Sequence, residues 1–466
     1  MAKTTVRRVS AFVVGLSLFA AACGSDDDGG SADTTAAAGT EAPATEAPAS
    51  EAPATEPPAS DAGAGGTAGA LATMKGTTPL VELSTEFQDK LLAIDPELGT
   101  TFNYAAETYD AVNIIALAAE KAQTDGIDYA KEINGITRDG EKCTDFATCK
   151  AVIDAGGDPD YDGQSGPLEF AGNGEPLQAS YGVLVFGDDN RIDNDATTFI
   201  EASAAAEADV PQSPVEGTRA GDGKLVIGSI LPQTGSLAFL GPPEFAGFDL
   251  AVQEINAAGG VLGQQIEGIP GDSGDATTDT ANQTVDRLLS QNVDAIIGAA
   301  SSGVSLTVID KITGAGVVQF SPANTSDELT AYPDKGLYFR SAPPDLLQGG
   351  VLGGLIADDG HATVAILARN DSYGTGLAGT AQAALEEAGV EVVYNKVYDE
   401  KAQTFDAEVD EMVAADADAI LLIAFDEASR ILTTMVEKGT GPLDKAVYGT
   451  DGFVGDPVGE AFDAGT

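Results

Sequence analysis

At 466 residues with 43% hydrophobic content, the chain can bury the cores of two or three domains of ordinary size. Its formal net charge of -51, from 74 acidic against 23 basic residues, gives a surface that repels phosphate backbones, so no nucleic-acid partner is expected; the plain reading is that the charge keeps the protein soluble. One histidine and three cysteines leave most zinc and nucleophilic chemistries without their usual side chains.

Residues 1–23 open with a basic stretch, MAKTTVRRVS, and an apolar run, AFVVGLSLFAAA, of signal-peptide length. The run is too short for a transmembrane helix, which takes around 20 apolar residues. Ala-Ala-Ala-Cys followed by GSDDD resembles a bacterial lipoprotein signal, in which Cys23 becomes the lipidated first residue. Several acyl chains on one residue supply the multiple anchors that stable attachment requires. The expectation is an exported protein tethered to the outer face of the cytoplasmic membrane. Residues 24–66 repeat a Thr/Ser-Glu-Ala-Pro unit with almost nothing to bury, which predicts a disordered, semi-extended spacer.

Residues 67–200 begin with AGALATMKG (68–76), which reads as a strand. Two segments of helical period follow, LSTEFQDKLLAI and YAAETYDAVNIIALAAEKA. In GEKCTDFATCKAVID, the close pair Cys143 and Cys149 is most simply a disulfide closing a short loop, given an exported chain. SGPLEFAGNGEP and ASYGVLVFGDDNRI then read as a hairpin at a sheet edge, and 201–222 as an Ala/Glu/Pro/Ser linker.

From 223 onward, short β-branched runs alternate with longer helical segments. KLVIGSI, QQIEGIP, VDAIIGAA and VVQFSPA are strands of a first series, which resumes with GLYFRSA, ATVAILAR, VEVVYNKV, ADAILLIA and KAVYGTDGF. Near-continuous apolar strands separated by helices predict parallel sheets covered on both faces. Two such runs part near 338–345, with the start of lobe 1 in 223–341 and lobe 2 in 342–466. The fold class is therefore α/β, with two doubly wound parallel-sheet lobes joined by a hinge. His361 lies just before a strand with no nucleophile or metal partner in view, and reads as a surface or loop residue. GTGLAG (374–379) has dinucleotide-binding spacing, but RNDSY separates it from the strand and no clear acidic ribose ligand follows.

VIGSILPQTGSLAFLGPPEFAGFDLAVQEINAAGGVLGQQIE resembles the opening strand–loop–helix of type I periplasmic binding proteins of the branched-chain amino-acid importers. IIGAASSGVSL, FSPANTSDEL, RNDSYGTGLA and YGTDGF resemble their successive ligand loops, 84–137 their late helices and 165–196 their closing strands. The resemblance covers about 67–200 and 223–466 in rotated order, because the block that comes last in that family stands first here. It implies a circularly permuted chain, with the late part of lobe 1 and the closing strands of lobe 2 in 67–200. The old termini are joined through 201–222, and Thr466 lies close to Thr67. A rearranged coding sequence gives the same text.

In a two-lobed α/β receptor the ligand binds between the lobes, at the carboxyl ends of strands. Ser302 and Gly303 open a helix after a strand, where a hydroxyl and free N–H groups favour a carboxylate; a simple N-cap serine leaves the same pattern. By resemblance, the Ala323 carbonyl and Thr325 hydroxyl hold ammonium and carboxylate, and Asp451 pairs with the ammonium. Leu240, Tyr104, Tyr373 and Phe425 are the side-chain pocket implied by the family; taken alone, the aromatics fit core packing and Asp451 an ordinary turn. Leu240 and Phe425 stand where the family often has tyrosine, which makes the pocket more apolar.

What the resemblance implies is a monomeric lipoprotein, not an enzyme, with no metal or cofactor. It would close around a branched-chain or related apolar amino acid and present it to an ABC permease in the membrane. Hinges are expected near Phe339–Pro343, Tyr448–Asp451 and Ser165–Leu168. A sensor of the same fold for an amide, urea or short peptide is the alternative. A hydrolase or oxidoreductase is disfavoured because no nucleophile–base set or metal cluster is apparent.

Overall fold

The computed structural model of the chain describes residues 69–204 and 213–463. The signal segment with Cys23, the spacer 24–66, and both Thr67 and Thr466 lie outside the described residues.

The first block supplies β1 (Lys75–Pro79), α1 (Thr85–Ile94), α2 (Ala105–Ala122), α3 (Ile133–Ile136) and β2 (Glu141–Cys143). It continues with α4 (Phe146–Asp154), β3 (Pro159–Tyr161), β4 (Gln178–Val185) and β5 (Thr198–Ser203). A disulfide between Cys143 and Cys149, with Cα atoms 5.2 Å apart, ties β2 to α4. Two stretches read as strands are not. Residues 69–73 turn, with Gly69 and Thr73 at φ 72° and 73°, so β1 starts only at Lys75. SGPLEFAGNGEP is a loop in which Leu168 and Glu169 hold φ of 60° and 49°. The hairpin instead pairs β4 with β5, placing Tyr181 opposite Ile200, so residues 201–203 of the expected linker are strand. Residues 213–223 lie along the lobe formed by the next block. There the Asp125 carboxylate accepts the N–H groups of Asp222 and Gly223, and Arg219 pairs with Asp294 at 2.5 Å.

That second block forms β6 (Val226–Ile230), α5 (Gly241–Ala257), β7 (Glu267–Ile269) and α6 (Thr280–Ser290). After them come β8 (Ala295–Gly298), α7 (Ser302–Gly314), β9 (Val318–Ser321) and β10 (Tyr338–Arg340). The strands make a parallel sheet in the order β10-β9-β8-β6-β7. β8 and β9 are buried at every position, as strands covered on both faces must be. α6 buries Ala281, Thr284, Val285 and Leu288, one helical stripe. α2 is buried along nearly its whole length because it lies between α5 and the strands β8 and β9, and it buries Glu107, Asp110, Asn113 and Glu120 along with its apolar residues.

The third block forms α8 (Asp345–Asp358), β11 (Thr363–Arg369), α9 (Ser372–Glu387), β12 (Glu391–Tyr398) and α10 (Asp406–Ala415). β13 (Ala419–Ile423), α11 (Ala428–Glu437), β14 (Ala446–Thr450) and α12 (Asp456–Glu460) complete it. Its sheet runs β12-β11-β13-β14-β1-β4-β5. β1 is parallel to β14, with Lys75 opposite Tyr448, and antiparallel to β4. The first block is thus divided: its helices fill the core of one lobe, while β1, β4 and β5 extend the sheet of the other. His361 is half-buried edge-on to Tyr448. Among the described residues no helix is long and apolar enough to cross a membrane.

Among the described residues the chain crosses between lobes at 80–84, 162–177 and 341–344. The hinge expected at Tyr448–Asp451 is not a crossing, because β14 leads into α12, which packs on α11 in the same lobe. The neighbouring β1 carries that crossing instead.

Arg340, at the end of β10, is fully buried. Its guanidinium donates to Glu175 at 3.0 Å, to the Ser326 carbonyl at 2.9 Å and to the Thr330 hydroxyl at 2.7 Å. One cation therefore binds the loop after β9 to the first block. Removing its counter-charge leaves a buried, unpaired guanidinium. Glu175→Ala is expected to lower stability by about 3–5 kcal/mol in urea unfolding, with Glu175→Gln losing less because it keeps an acceptor.

Candidate functional site

The strand ends of both sheets open onto one cavity. From one lobe it is lined by Leu237, Leu240, Ala300, Ser301, Ser302, Ala323 and Thr325, with Tyr104 from the start of α2. Tyr373, Phe425, Asp451 and Gly452 line it from the other. Ser302, Ala323, Thr325, Asp451, Tyr373, Phe425, Tyr104 and Leu240 are thereby brought together; Gly303 is not in the lining and packs toward Ala276, Ser301 and Ser372. The space between these walls is about 260 Å³.

Each polar wall has a local cause. Ser301, not Ser302, caps α7, its side chain accepting the Val304 N–H. Ser302 is therefore free of the capping role; it sits one residue into the helix, 2% exposed, and its hydroxyl accepts the Ser326 N–H at 3.3 Å. Ser321 accepts the N–H groups of Ala323 and Asn324, and the Asn324 amide donates to the Ala299 and Ala300 carbonyls at 2.9 and 2.7 Å. These bonds lock the loops after β8 and β9 to each other and place Thr325 beside Ser302.

Asp451 follows β14 and is almost wholly buried. Its carboxylate accepts the Tyr104 hydroxyl at 2.8 Å, the Tyr373 hydroxyl at 2.9 Å and the Gln348 amide at 2.8 Å. Burial pushes its pKa up, and those three donors pull it back. Both phenols are pushed well above their ordinary value, first by burial and then by Asp451, so they remain donors. Tyr104 holds φ 59° at the N-cap of α2, a left-handed conformation that a bulky residue adopts only when its surroundings impose it. That backbone turn aims its ring into the cavity.

The apolar wall is equally fixed. Phe425 stacks on Tyr373 with centroids 5.3 Å apart, and the Arg369 guanidinium lies 3.5 Å from its ring centroid. Arg369 is itself held by Asp371 at 2.6 Å and Glu427 at 2.7 Å. Leu237, Leu240 and Ala300 face this wall as members of the same core cluster. One side of the cavity thus offers hydroxyls at a helix N-terminus, which suit an anion, and another a carboxylate, which suits a cation. Apolar surface lies between them.

Several contributors escaped the sequence reading. Ala300 and Ser301 stand inside the quoted GAASSGVSL loop, and Gly452 beside Asp451, so adjacency could have found them. Gln348 carried no signal, since its partner Asp451 lies 103 residues on. Two other features have structural occupations. Gly374 of GTGLAG donates its N–H to the capping carboxylate of Asp371 at 2.8 Å, and that carboxylate would repel a phosphate at the start of α9. Asp160, Asp162 and Glu169 converge within 4.8 Å, but the Lys142 ammonium pairs with all three, at 3.0, 2.9 and 3.4 Å.

Residues 224–457 match a family model described as periplasmic binding protein. Leu/Ile/Val-binding protein homolog 7 of Brucella abortus (strain 2308) is 31% identical over 238 residues, which are 48% of this chain and 58% of that protein. The chain therefore spans less than two thirds of the length of the curated relatives it matches. Among solved structures, the branched-chain amino acid transporter substrate binding protein LivJ of Streptococcus pneumoniae, in complex with isoleucine, is 30% identical with a TM-score of 0.46. That match covers 51% of this chain and 67% of the other. A solute binding protein of R. palustris in complex with 4-hydroxybenzoate is 16% identical, with a TM-score of 0.47, covering 51% and 66%.

Gln348 also donates to the Thr77 hydroxyl at 3.2 Å, so it joins α8 to β1 while holding Asp451. Gln348→Leu strips one donor from a buried carboxylate and is expected to lower stability by about 1–3 kcal/mol, measured by denaturant unfolding without ligand.

Proposed function

The chain belongs to the periplasmic binding protein family, and from that premise we propose that it is an extracytoplasmic receptor for a branched-chain or related apolar amino acid, delivering it to an ABC importer. One arrangement carries this proposal: Asp451 in one lobe, Ser302 and Thr325 in the other, and apolar surface from Leu237, Leu240 and Phe425 around the same cavity. A zwitterion sets its ammonium against Asp451 and the Ala323 carbonyl. Its carboxylate then meets the two hydroxyls and the N-terminus of α7. An aliphatic side chain suits the remaining wall, and the Brucella relatives, named as Leu/Ile/Val-binding protein homologs, agree with that choice. A carboxylate without an ammonium would leave Asp451 facing no cation, which argues against a ligand such as 4-hydroxybenzoate.

Because such a ligand touches both lobes, it binds the closed form more tightly than the open one and draws the equilibrium toward closure. Attachment through Cys23 and action as a single copy belong to the same proposal, and the anchor rests on the sequence of the leader alone. We also infer a rotated block order. It is supported by β1 lying between β14 and β4 in one sheet, and by the ion pair of Arg191 with Asp463.

A thermal-shift screen of amino acids, 4-hydroxybenzoate, amides and sugars tests the ligand class. Stabilisation by leucine, isoleucine or valine is expected, and a response confined to sugars would sink the proposal. Calorimetry on Asp451→Ala should then show affinity for the preferred amino acid falling about 30-fold or more, as for loss of one partner in a buried charged contact.

A further inference from the structure

Asp345 opens α8 directly after the 341–344 crossing and is fully buried, yet no donor sits at hydrogen-bonding geometry on either carboxyl oxygen, and the Thr325 side chain is the one hydroxyl near enough to favour its charged form. Its backbone N–H donates to the Thr325 carbonyl at 2.7 Å, so it stands where one lobe meets the ligand loop of the other. The titratable and charged groups facing it are Asp451 after β14, Asp327 in the loop after β9, Arg340 on β10, Tyr181 on β4 and Tyr373 on α9. Arg340 is the one cation among them, and it is already paired with Glu175 at 2.5 Å. Tyr373 is bonded to Asp451, while the Tyr181 hydroxyl and the Gln348 carbonyl oxygen lack partners, as Asp345 does.

The charges therefore do not balance. A zwitterionic ligand brings one ammonium to Asp451, and its carboxylate goes to the far side of the cavity. Asp345 is left as a second buried carboxyl with no cation, and sealing an unpaired carboxylate from water costs far more than protonating it. We propose that capture of the amino acid is coupled to uptake of one proton, held at Asp345 when the lobes close. This inference rests on the amino-acid reading given above.

Burial, with Asp451 adding to it and the Thr325 side chain offsetting part of it, pushes the Asp345 carboxyl well above the usual carboxylate range where the two lobes meet. Opening parts Asp345 from Thr325 and admits water, which returns the group toward its ordinary value of about 4. A group whose closed-state pKa lies above its open-state value favours closure at low pH. That advantage fades as pH rises through the closed-state value, so affinity weakens by up to about tenfold per pH unit within that window. Glu107 and Glu244 are also buried acids, on α2 and α5 of one lobe, and the carboxyl of Glu244 likewise lacks hydrogen-bond partners, so the Asp345 variants below are what separates their protons from this one.

The test is calorimetric titration of the purified protein with leucine, isoleucine and valine near neutral pH, in two buffers of different ionisation enthalpy. The expected result is uptake of about one proton per ligand, with affinity falling as pH rises. Asp345→Asn, with Asp345→Ala as a second variant, should keep binding while losing both the uptake and the pH slope. Binding without uptake overturns the inference and leaves the ligand reading standing, as does uptake that persists in both variants. Binding that requires sodium and fails in choline also overturns it, because a metal cation would then supply the missing charge. If the variants do not fold, the buffer dependence of the unsubstituted protein decides. Failure to bind any of the three amino acids brings down the ligand reading and this inference together, at the earlier step.

Discussion

A carboxylate shut away from water must be given hydrogen-bond donors, and the architecture around Asp451 follows from that need. β14 presents the residue, α2 brings the Tyr104 hydroxyl, α9 the Tyr373 hydroxyl and α8 the Gln348 amide. Bonds to a charged group contribute about 1.5–3 kcal/mol each and offset part of the burial that raises the pKa of Asp451. The elements supplying them come from opposite ends of the sequence. Folding the first block onto the others is therefore a condition for the site to exist.

The same dependence recurs away from the cavity. Arg340 ties the loop bearing Thr325 to Glu175, a residue 165 positions earlier. Arg219 and the backbone of residues 222–223 fasten the segment before β6 to Asp294 and Asp125. The Arg340 and Arg219 braces join the first block, or the stretch that follows it, to a lobe founded later in the chain, and Asp125 holds that stretch to the first block. A buried ion pair gives little net stability by itself, but breaking it is costly, so these contacts act mainly to select one arrangement of the blocks.

Most strands were legible because a parallel strand covered on both faces must be apolar throughout, as in AILLI of β13. The two-lobed class followed from that alternation, and the ligand loops from their likeness to a known family. What escaped was settled by long-range geometry. The left-handed residues Leu168 and Glu169 break a stretch whose alternation looks like a strand, and nothing local marks them. The missing crossing after Tyr448 has the same origin, since only the sheet reveals that β1 lies beside β14 and carries the chain across. Nothing in the sequence around Asp345 distinguishes it from any acid at a helix start, and its isolation emerges only when α8, β4 and the loop after β9 are packed together.

The crowding of tyrosines around Asp451 has an optical corollary. The chain contains no tryptophan, so its ultraviolet emission comes from 11 tyrosines, and the phenols of Tyr104 and Tyr373 bond directly to the carboxylate that a bound ammonium would share. Phenol fluorescence responds to the acceptor its hydroxyl meets. Occupancy of the cavity is thus written into the protein's own emission, and a titration can be followed without attaching a dye.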